Sequence, residues 1–442
     1  MSSPYAELPD KEKEKQNKEC DTEKCSTQSK LIYITIVAVL VFALEYILRA
    51  PYTRLSDYIQ ENLNFESKCW LGDVFVWFKY KGKAVIFLLL FNISNIWVSL
   101  SMIILDSFGI FINGTIKLIY RDPRPFWRNE NLVPCTCATN YGNPSTTGLD
   151  VYLVSIVVYR ALINRSNSKA WKALVWVFFL MPQVLAWTSR FIQNIHSLPQ
   201  LTFGYLCGYI IQYIYFEVMD IDMESESQLG KLVNNTWLML TIAFSCMAWL
   251  FFNAIHFYFV HSHESKHMIS VIGRYCSTEL TYFMFDNESY QKTAQAFLFI
   301  GSIVGILIEY NFWFNGDYSK YGKYNMGENR WSDTDAYRTT LRMIVMYILS
   351  KMILPLAKWG SIKHDSVFYL NISNNIVANF VKGVFYFLIV KAAFKILTIS
   401  NESYGSDWSI LPECYTEVEK NSGNKLNEGR DDEKAVPLVD KK

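Results

Sequence analysis

Two polar stretches of this 442-residue chain hold residue types that could do chemistry. The first runs Lys117-Leu118-Ile119-Tyr120-Arg121-Asp122-Pro123-Arg124-Pro125-Phe126-Trp127, followed downstream by Pro144-Ser145-Thr146-Thr147-Gly148. The second runs Ser189-Arg190-Phe191-Ile192-Gln193-Asn194-Ile195-His196-Ser197-Leu198-Pro199-Gln200. Lys117 and Arg124 stand seven residues apart, two helical turns, so a continuous helix would carry both on one face. Pro144-Ser145-Thr146-Thr147 opens an apolar run, where a helix start offers free backbone N–H groups and a positive dipole end to an anion. Three cations, hydroxyls at a helix N-terminus and one histidine suit a phosphate. The same charges also suit an ordinary membrane interface, with long side chains snorkelling towards lipid head groups.

The elements that must position these residues are apolar. Nine segments have span character, at about 31–49, 84–105, 150–164, 170–188, 197–217, 235–260, 294–314, 340–357 and 375–399. Roughly 20 apolar residues cross a hydrocarbon core as a helix. The first segment, LIYITIVAVLVFALEYIL, is broken only by Glu45, whereas 150–164 is short and 340–357 carries Arg342, Lys351 and Pro355. So many in one chain predict an all-α, polytopic membrane helical bundle of about nine transmembrane helices. A polar flexible tail (1–30) leads into a membrane core (31–217) that holds both polar stretches. Additional transmembrane helices (218–400) and an acidic flexible tail (401–442) follow, the tails having too little apolar surface to offset ordering. No secretory signal precedes the first segment, which is therefore read as a retained anchor.

Whole-chain averages conceal this pattern, at 51% hydrophobic, 19% charged and a net charge of +1. The balance of Lys+Arg 42 against Asp+Glu 41 argues against nucleic acid as a partner and leaves membrane lipids as the surroundings. The nine cysteines show no metal-type spacing, and Cys135-Thr136-Cys137 has no nearby partners for a zinc site, so no metal or other cofactor is expected.

The polar stretches resemble the motifs of the type-2 phosphatidic acid phosphatase/haloperoxidase superfamily. Lys117 through Arg124-Pro125 is similar to its K-(six residues)-R-P motif, Pro144-Ser145 to the start of P-S-G-H, and Ser189-Arg190 with His196 to S-R-(five residues)-H. The likeness covers roughly residues 84–217 and implies a phosphatidic acid phosphatase-type core. It implies that Lys117, Arg124 and Arg190 hold a phosphate with help from Ser145, Thr146 and backbone N–H groups. His196 would attack phosphorus to form a phosphohistidine. Phe126-Trp127 after Arg-Pro, Gln200 four residues after His196, and the span number resemble the glucose-6-phosphatase branch, whose site faces the endoplasmic-reticulum lumen. Pro144-Ser145-Thr146 resembles sphingoid-base phosphatases as well. The resemblance thus implies a phosphorylated sugar or lipid substrate and an endoplasmic-reticulum or other endomembrane location.

One departure bears on activity. Relatives end the second motif in a histidine that protonates the leaving alkoxide; here the position is Thr147, which has no suitable proton to give. General acid–base assistance is worth about 10²–10⁴-fold. Two functions of different kinds follow: a membrane phosphohydrolase with turnover lowered by the missing acid, or an inactive phosphate-binding relative acting as a membrane binding or scaffold protein. A transporter is a third, suggested by the span number and the intramembrane Lys351 and Lys382. His261, His263 and His267 read as a solvated loop cluster, and His256 and His364 as structural or surface residues. Gly204 and Gly208 form a G-x-x-x-G pair that reads as close helix packing.

Overall fold

The computed structural model describes residues 10–63, 82–93, 96–219, 266–275, 294–314, 336–359 and 372–397, with isolated positions between them, and has no strand among the described residues. Helix α1 (Asp10–Leu63) begins inside the Lys- and Glu-rich stretch expected to be a flexible tail; both residues are good helix formers. It continues through the first apolar segment. The order then runs α2 (Lys83–Ile93), α3 (Ile96–Tyr120), the short α4 (Pro125–Arg128), α5 (Thr146–Ile163), α6 (Lys169–Ile192) and α7 (Leu198–Tyr213). Beyond these lie α8 (Lys266–Tyr275), α9 (Ala296–Phe314), α10 (Ala336–Trp359) and α11 (Asn375–Phe394).

Five helical stretches are long and apolar enough to cross a membrane: Ser26–Asn62, Val98–Arg128, Thr146–Ile163, Lys169–Ile192 and Asn375–Phe394. The chain is an all-helical membrane protein, and nine spans are not what its described helices provide. Lys83–Asn92 and Ala296–Phe312 are apolar but shorter. The segment expected as one span at 84–105 is divided between α2 and α3, with the polar Asn92, Ser94 and Asn95 between the two apolar runs. The segment at 197–217 is a 16-residue α7 followed by a π-helical turn, Ile214–Val218. The segment at 235–260 lies outside the described residues.

α5 occupies the middle of the bundle and packs on α3, α6 and α7, while α1 packs on α7, and α9 packs on both α3 and α11. Leu100, Leu105, Leu149, Leu153, Val157 and Phe203 fill the space between them. α1 exposes Leu40, Tyr46 and Ile47, and α6 exposes Trp176, Val177 and Phe178. Apolar side chains on the outside suit a hydrocarbon solvent, since backbone polar groups are already satisfied within each helix. The C-terminal ends of α1, α3 and α6 meet the N-terminal ends of α5 and α7, as the hydrogen bonds from Gln60 to the carbonyls of Phe191 and His196, from Leu198 N–H to Ser56 Oγ, from Asn113 to Pro144 O and from Ser145 N–H to Gln200 O require. Both polar stretches therefore lie at one end of the bundle.

Candidate active site

α3 stops at Tyr120, Arg121 takes a left-handed φ of 46°, and its N–H donates to Lys117 O at 3.0 Å. Pro123 and Pro125 exclude a continuing helix, so Lys117 and Arg124 do not share a helix face as their spacing suggests. They converge through the loop instead. Lys117 Nζ donates to Tyr141 O. Arg124 Nε donates to Asn140 O at 2.6 Å and Nη1 to Ile195 O at 3.0 Å, and Nη2 donates to Asn140 Oδ1. Lys117 is fully buried, and Arg124 nearly so.

Ser145 caps α5, its Oγ accepting from Gly148 N–H at 3.3 Å and its own N–H donating to Gln200 O at 2.9 Å. A Cβ at Gly204 would stand 2.5 Å from Ser145 O, so this glycine lets α7 reach the cap. Thr146 Oγ1 donates to Asn113 Oδ1 at 2.7 Å, and Asn113 Nδ2 donates to Pro144 O at 3.2 Å. Thr147 is the second residue of α5 and is buried. Asn143 Nδ2 donates at 2.6 Å to Glu45 Oε1, which also lies 3.4 Å from Arg49 Nε. Glu45, the carboxylate in the first apolar segment, thus reaches the second motif.

The last turn of α6 carries Arg190, buried, whose Nη1 donates to Gln193 Oε1 at 2.9 Å. Asn194 takes φ 57° and turns the chain so that His196 faces Arg124. Gln60 on α1 fixes this turn from outside by donating to the carbonyls of Phe191 at 2.9 Å and His196 at 3.1 Å.

Hydrogen-bonding roles determine the His196 tautomer. Gln200 Nε2 sits 2.7 Å from Asp122 Oδ2 and 2.9 Å from Pro123 O, both acceptors. Its Oε1 must then face Ser197 N–H at 3.2 Å and His196 Nδ1 at 3.3 Å. Nδ1 therefore carries the proton and donates, which leaves the lone pair on Nε2, where Arg124 Nη1, a donor only, lies at 3.3 Å. Burial first, then the charges of Arg124, Lys117 and Arg190, hold the imidazole well below its usual 6.5, against a smaller opposing effect of Gln200. His196 is neutral at neutral pH. Gly142 is required beside it, because a Cβ there would overlap the Gln200 amide.

Covalent and aromatic packing hold these loops. Cys69 and Cys135 form a disulfide, Cys137 is also disulfide-bonded, and Cys135 N–H donates to Gln193 O at 3.2 Å. Spacing alone could not reveal a bond between cysteines 66 residues apart. Phe126 and Trp127 are buried with Leu132, Tyr141 and Ile272 of α8, while Arg274 Nη1 pairs with Glu130 at 2.9 Å. The aromatic pair is thus a floor under the loop.

All seven residues singled out in the sequence, Lys117, Arg124, Ser145, Thr146, Thr147, Arg190 and His196, lie on the loops and helix ends that meet here. Glu45, Gln60, Asn113, Asp122 and Gly142 were not singled out; Glu45, as a carboxylate inside an apolar segment, was the legible signal. Among the described residues no group of three or more His, Cys, Asp or Glu is placed to hold a metal. His256, His261, His263 and His364 lie outside the described residues. Of the intramembrane cations, Lys391 pairs with Glu309, Lys351 lies 5.4 Å from the Tyr347 ring centroid, and Lys382 is half-buried on α11. No curated protein and no solved structure matches this chain. The segment that carries every one of the seven residues, 94–223, matches the PAP2 superfamily.

Proposed function

We propose that the chain is an integral membrane phosphohydrolase that attacks phosphorus through His196 Nε2. Lys117, Arg124, Arg190, Ser145, Thr146 and the first N–H groups of α5 hold the phosphate. The observation that carries this reading is the neutral His196, its Nε2 lone pair turned towards Arg124 among three cations. Three like charges in a buried site repel one another, and a phosphate dianion relieves that repulsion.

In the first step Nε2 bonds to phosphorus and the bond to the leaving oxygen breaks, its electron pair departing with that oxygen. Nδ1–H stays on Gln200 Oε1, which steadies the charge that builds on the ring. In the second step water attacks phosphorus, the P–N bond breaks, and inorganic phosphate leaves with His196 restored. No proton donor stands at Thr147, so the leaving group departs as an anion. The reading therefore favours substrates with acidic leaving groups, such as diphosphates, over sugar or lipid monophosphates. Gln200 supports the glucose-6-phosphatase likeness within the superfamily. The Cys69–Cys135 disulfide at the same end of the bundle supports a site facing an oxidising compartment, such as the endoplasmic-reticulum lumen.

The test uses purified chain and phosphate esters graded by leaving-group acidity: p-nitrophenyl phosphate, a lipid diphosphate, a lipid monophosphate and a hexose phosphate. Rates should fall steeply as the leaving group becomes more basic. Thr147→His should flatten that slope, raising the hexose phosphate rate by about 10²–10⁴-fold. Hydrolysis that survives His196→Ala refutes the mechanism. Thr147 also favours a second reading, an inactive phosphate-binding relative that serves as a membrane binding or scaffold protein. Saturable phosphate binding without turnover of any ester, and without a trapped phosphohistidine, would select it.

A further inference from the structure

Lys117 and Arg124 bond to the 140–141 segment, whereas Arg190 bonds to Gln193, three residues further along its own stretch of chain. Gln193 is one of the five residues between Arg190 and His196, none of which the superfamily motif specifies. It is fully buried, stands at the C-terminal cap of α6, and accepts from Arg190 Nη1 on Oε1 at 2.9 Å. A guanidinium only donates, so Oε1 must face it and Nε2 is turned away. Nε2 is buried with no hydrogen-bond partner among the described residues. A buried donor left unpaired lowers stability, so this arrangement serves Arg190 rather than the helix end.

Two other segments grip Gln193. Gly72 packs directly on its amide, where a Cβ would overlap Nε2 and Cδ. Cys135 N–H donates to Gln193 O at 3.2 Å, and the next residue, Asn194, donates from Nδ2 to Val133 O at 2.9 Å. Gly72 lies three residues beyond Cys69, and Cys69 is bonded to Cys135. The disulfide thus joins the segment on the Gln193 side chain to the segment on its backbone. An arginine has many rotamers, and one already held when the anion arrives loses less freedom on binding. We propose that Gln193 is a positioning residue that holds Arg190 ready for the phosphate, and that the Cys69–Cys135 bond keeps Gln193 gripped between the two segments. This role rests on Arg190 holding the phosphate, as in the phosphohydrolase reading, and Gln193 acts through Arg190 without touching the substrate.

The experiment measures the dissociation constant of orthophosphate for the purified full chain in nanodiscs, in a double-mutant cycle with Arg190→Leu. Gln193→Leu keeps the volume and removes the acceptor; a hydrogen bond lost from a charged group converts to about 10- to 150-fold weaker binding. In the Arg190→Leu background the same change should have no further effect, because no guanidinium remains to be positioned. A merely structural loss would weaken binding in both backgrounds. Gly72→Ala, which displaces the amide, and the paired Cys69→Ala and Cys135→Ala changes should each weaken binding with Arg190 present and leave it unaltered in Arg190→Leu. These variants leave every proposed phosphate ligand in place and carry the test should Gln193→Leu not fold. A native chain that binds no orthophosphate, or an Arg190→Leu chain that binds it as tightly as the native one, refutes the phosphate reading and the positioning role together. Native affinity in Gln193→Leu or Gly72→Ala, or equal losses in both backgrounds, overturns the positioning role alone. Native affinity in the chain without the two cysteines overturns the disulfide grip.

Discussion

Replacing Gln200 with Leu probes the proposed nucleophile, His196, directly. The amide faces His196 Nδ1 at 3.3 Å, accepts from Ser197 N–H at 3.2 Å, and donates to Asp122 at 2.7 Å and to Pro123 O at 2.9 Å. Leucine occupies a similar volume and accepts nothing. Nδ1–H would become a buried donor without a partner, at a cost of about 1–3 kcal/mol. Moving the proton to Nε2 would relieve that cost and remove the lone pair needed for attack, but Arg124 Nη1, a donor 3.3 Å from Nε2, opposes the shift. At 1.36 kcal/mol per decade, the attacking tautomer falls by at most about 150-fold. Phosphohistidine formation should slow by the same factor in a rapid-quench experiment with a radiolabelled acyl phosphate. Nitrogen NMR of the imidazole should show the proton on Nδ1 in the native chain and partly shifted to Nε2 in the variant. A native chain with its proton on Nε2, or a variant that is phosphorylated at the native rate, refutes the reasoning.

Three further outcomes are expected. Because burial and three cations hold His196 below 6.5, its single-turnover rate should be constant from neutral pH down past 6.5 and fall only through the lowered value. Its stability contribution is present in full above 6.5 and is lost as pH falls from 6.5 through the folded-state value; a rate that already falls at or above 6.5 contradicts this. Glu45→Ala strips the acceptor from the buried Asn143 amide and should cost about 1–3 kcal/mol in thermal unfolding and weaken phosphate binding, with Glu45→Gln recovering most of both. Cys135→Ser opens a loop closed across 66 residues and should lower stability by about 4 kcal/mol, a loss that a reductant should exceed on the native chain because it also opens the Cys137 disulfide.

The site was legible wherever its residues are neighbours along the chain. Lys117, Arg124, Ser145, Arg190 and His196 sit in three short patterns, and short patterns survive without knowledge of the fold. Ser197-Leu198-Pro199-Gln200 carried a further local signal, a capping box in which Gln200 reaches back to the Ser197 N–H. What escaped was whatever depends on distant segments meeting. Asp122 bears on His196 only because Gln200, 78 residues later, lies between them. Lys83 bridges Asp106 and Asp150 only because three helices converge, and Cys69 meets Cys135 only across the loops. Hydropathy found apolar material correctly but divided it poorly. It ran α2 and α3 together at 84–105, since the few polar residues between their apolar runs leave the average almost unaltered.

The packing of α8 has a consequence for where this protein can be cut. The stretch that matches the superfamily ends at 223, yet Phe126, Trp127 and Tyr141 within it are covered by Ile272, and Glu130 is paired with Arg274. On the other side, Glu45 and Gln60 of α1 hold Asn143 and the carbonyls of Phe191 and His196. A fragment trimmed to the matching stretch would expose an aromatic cluster at one margin; at the other it would take the acceptor from the buried Asn143 amide and the side-chain donor from two carbonyls. The family likeness and mechanical integrity have different boundaries in this chain, and the shortest stretch that keeps these contacts runs from α1 through α8.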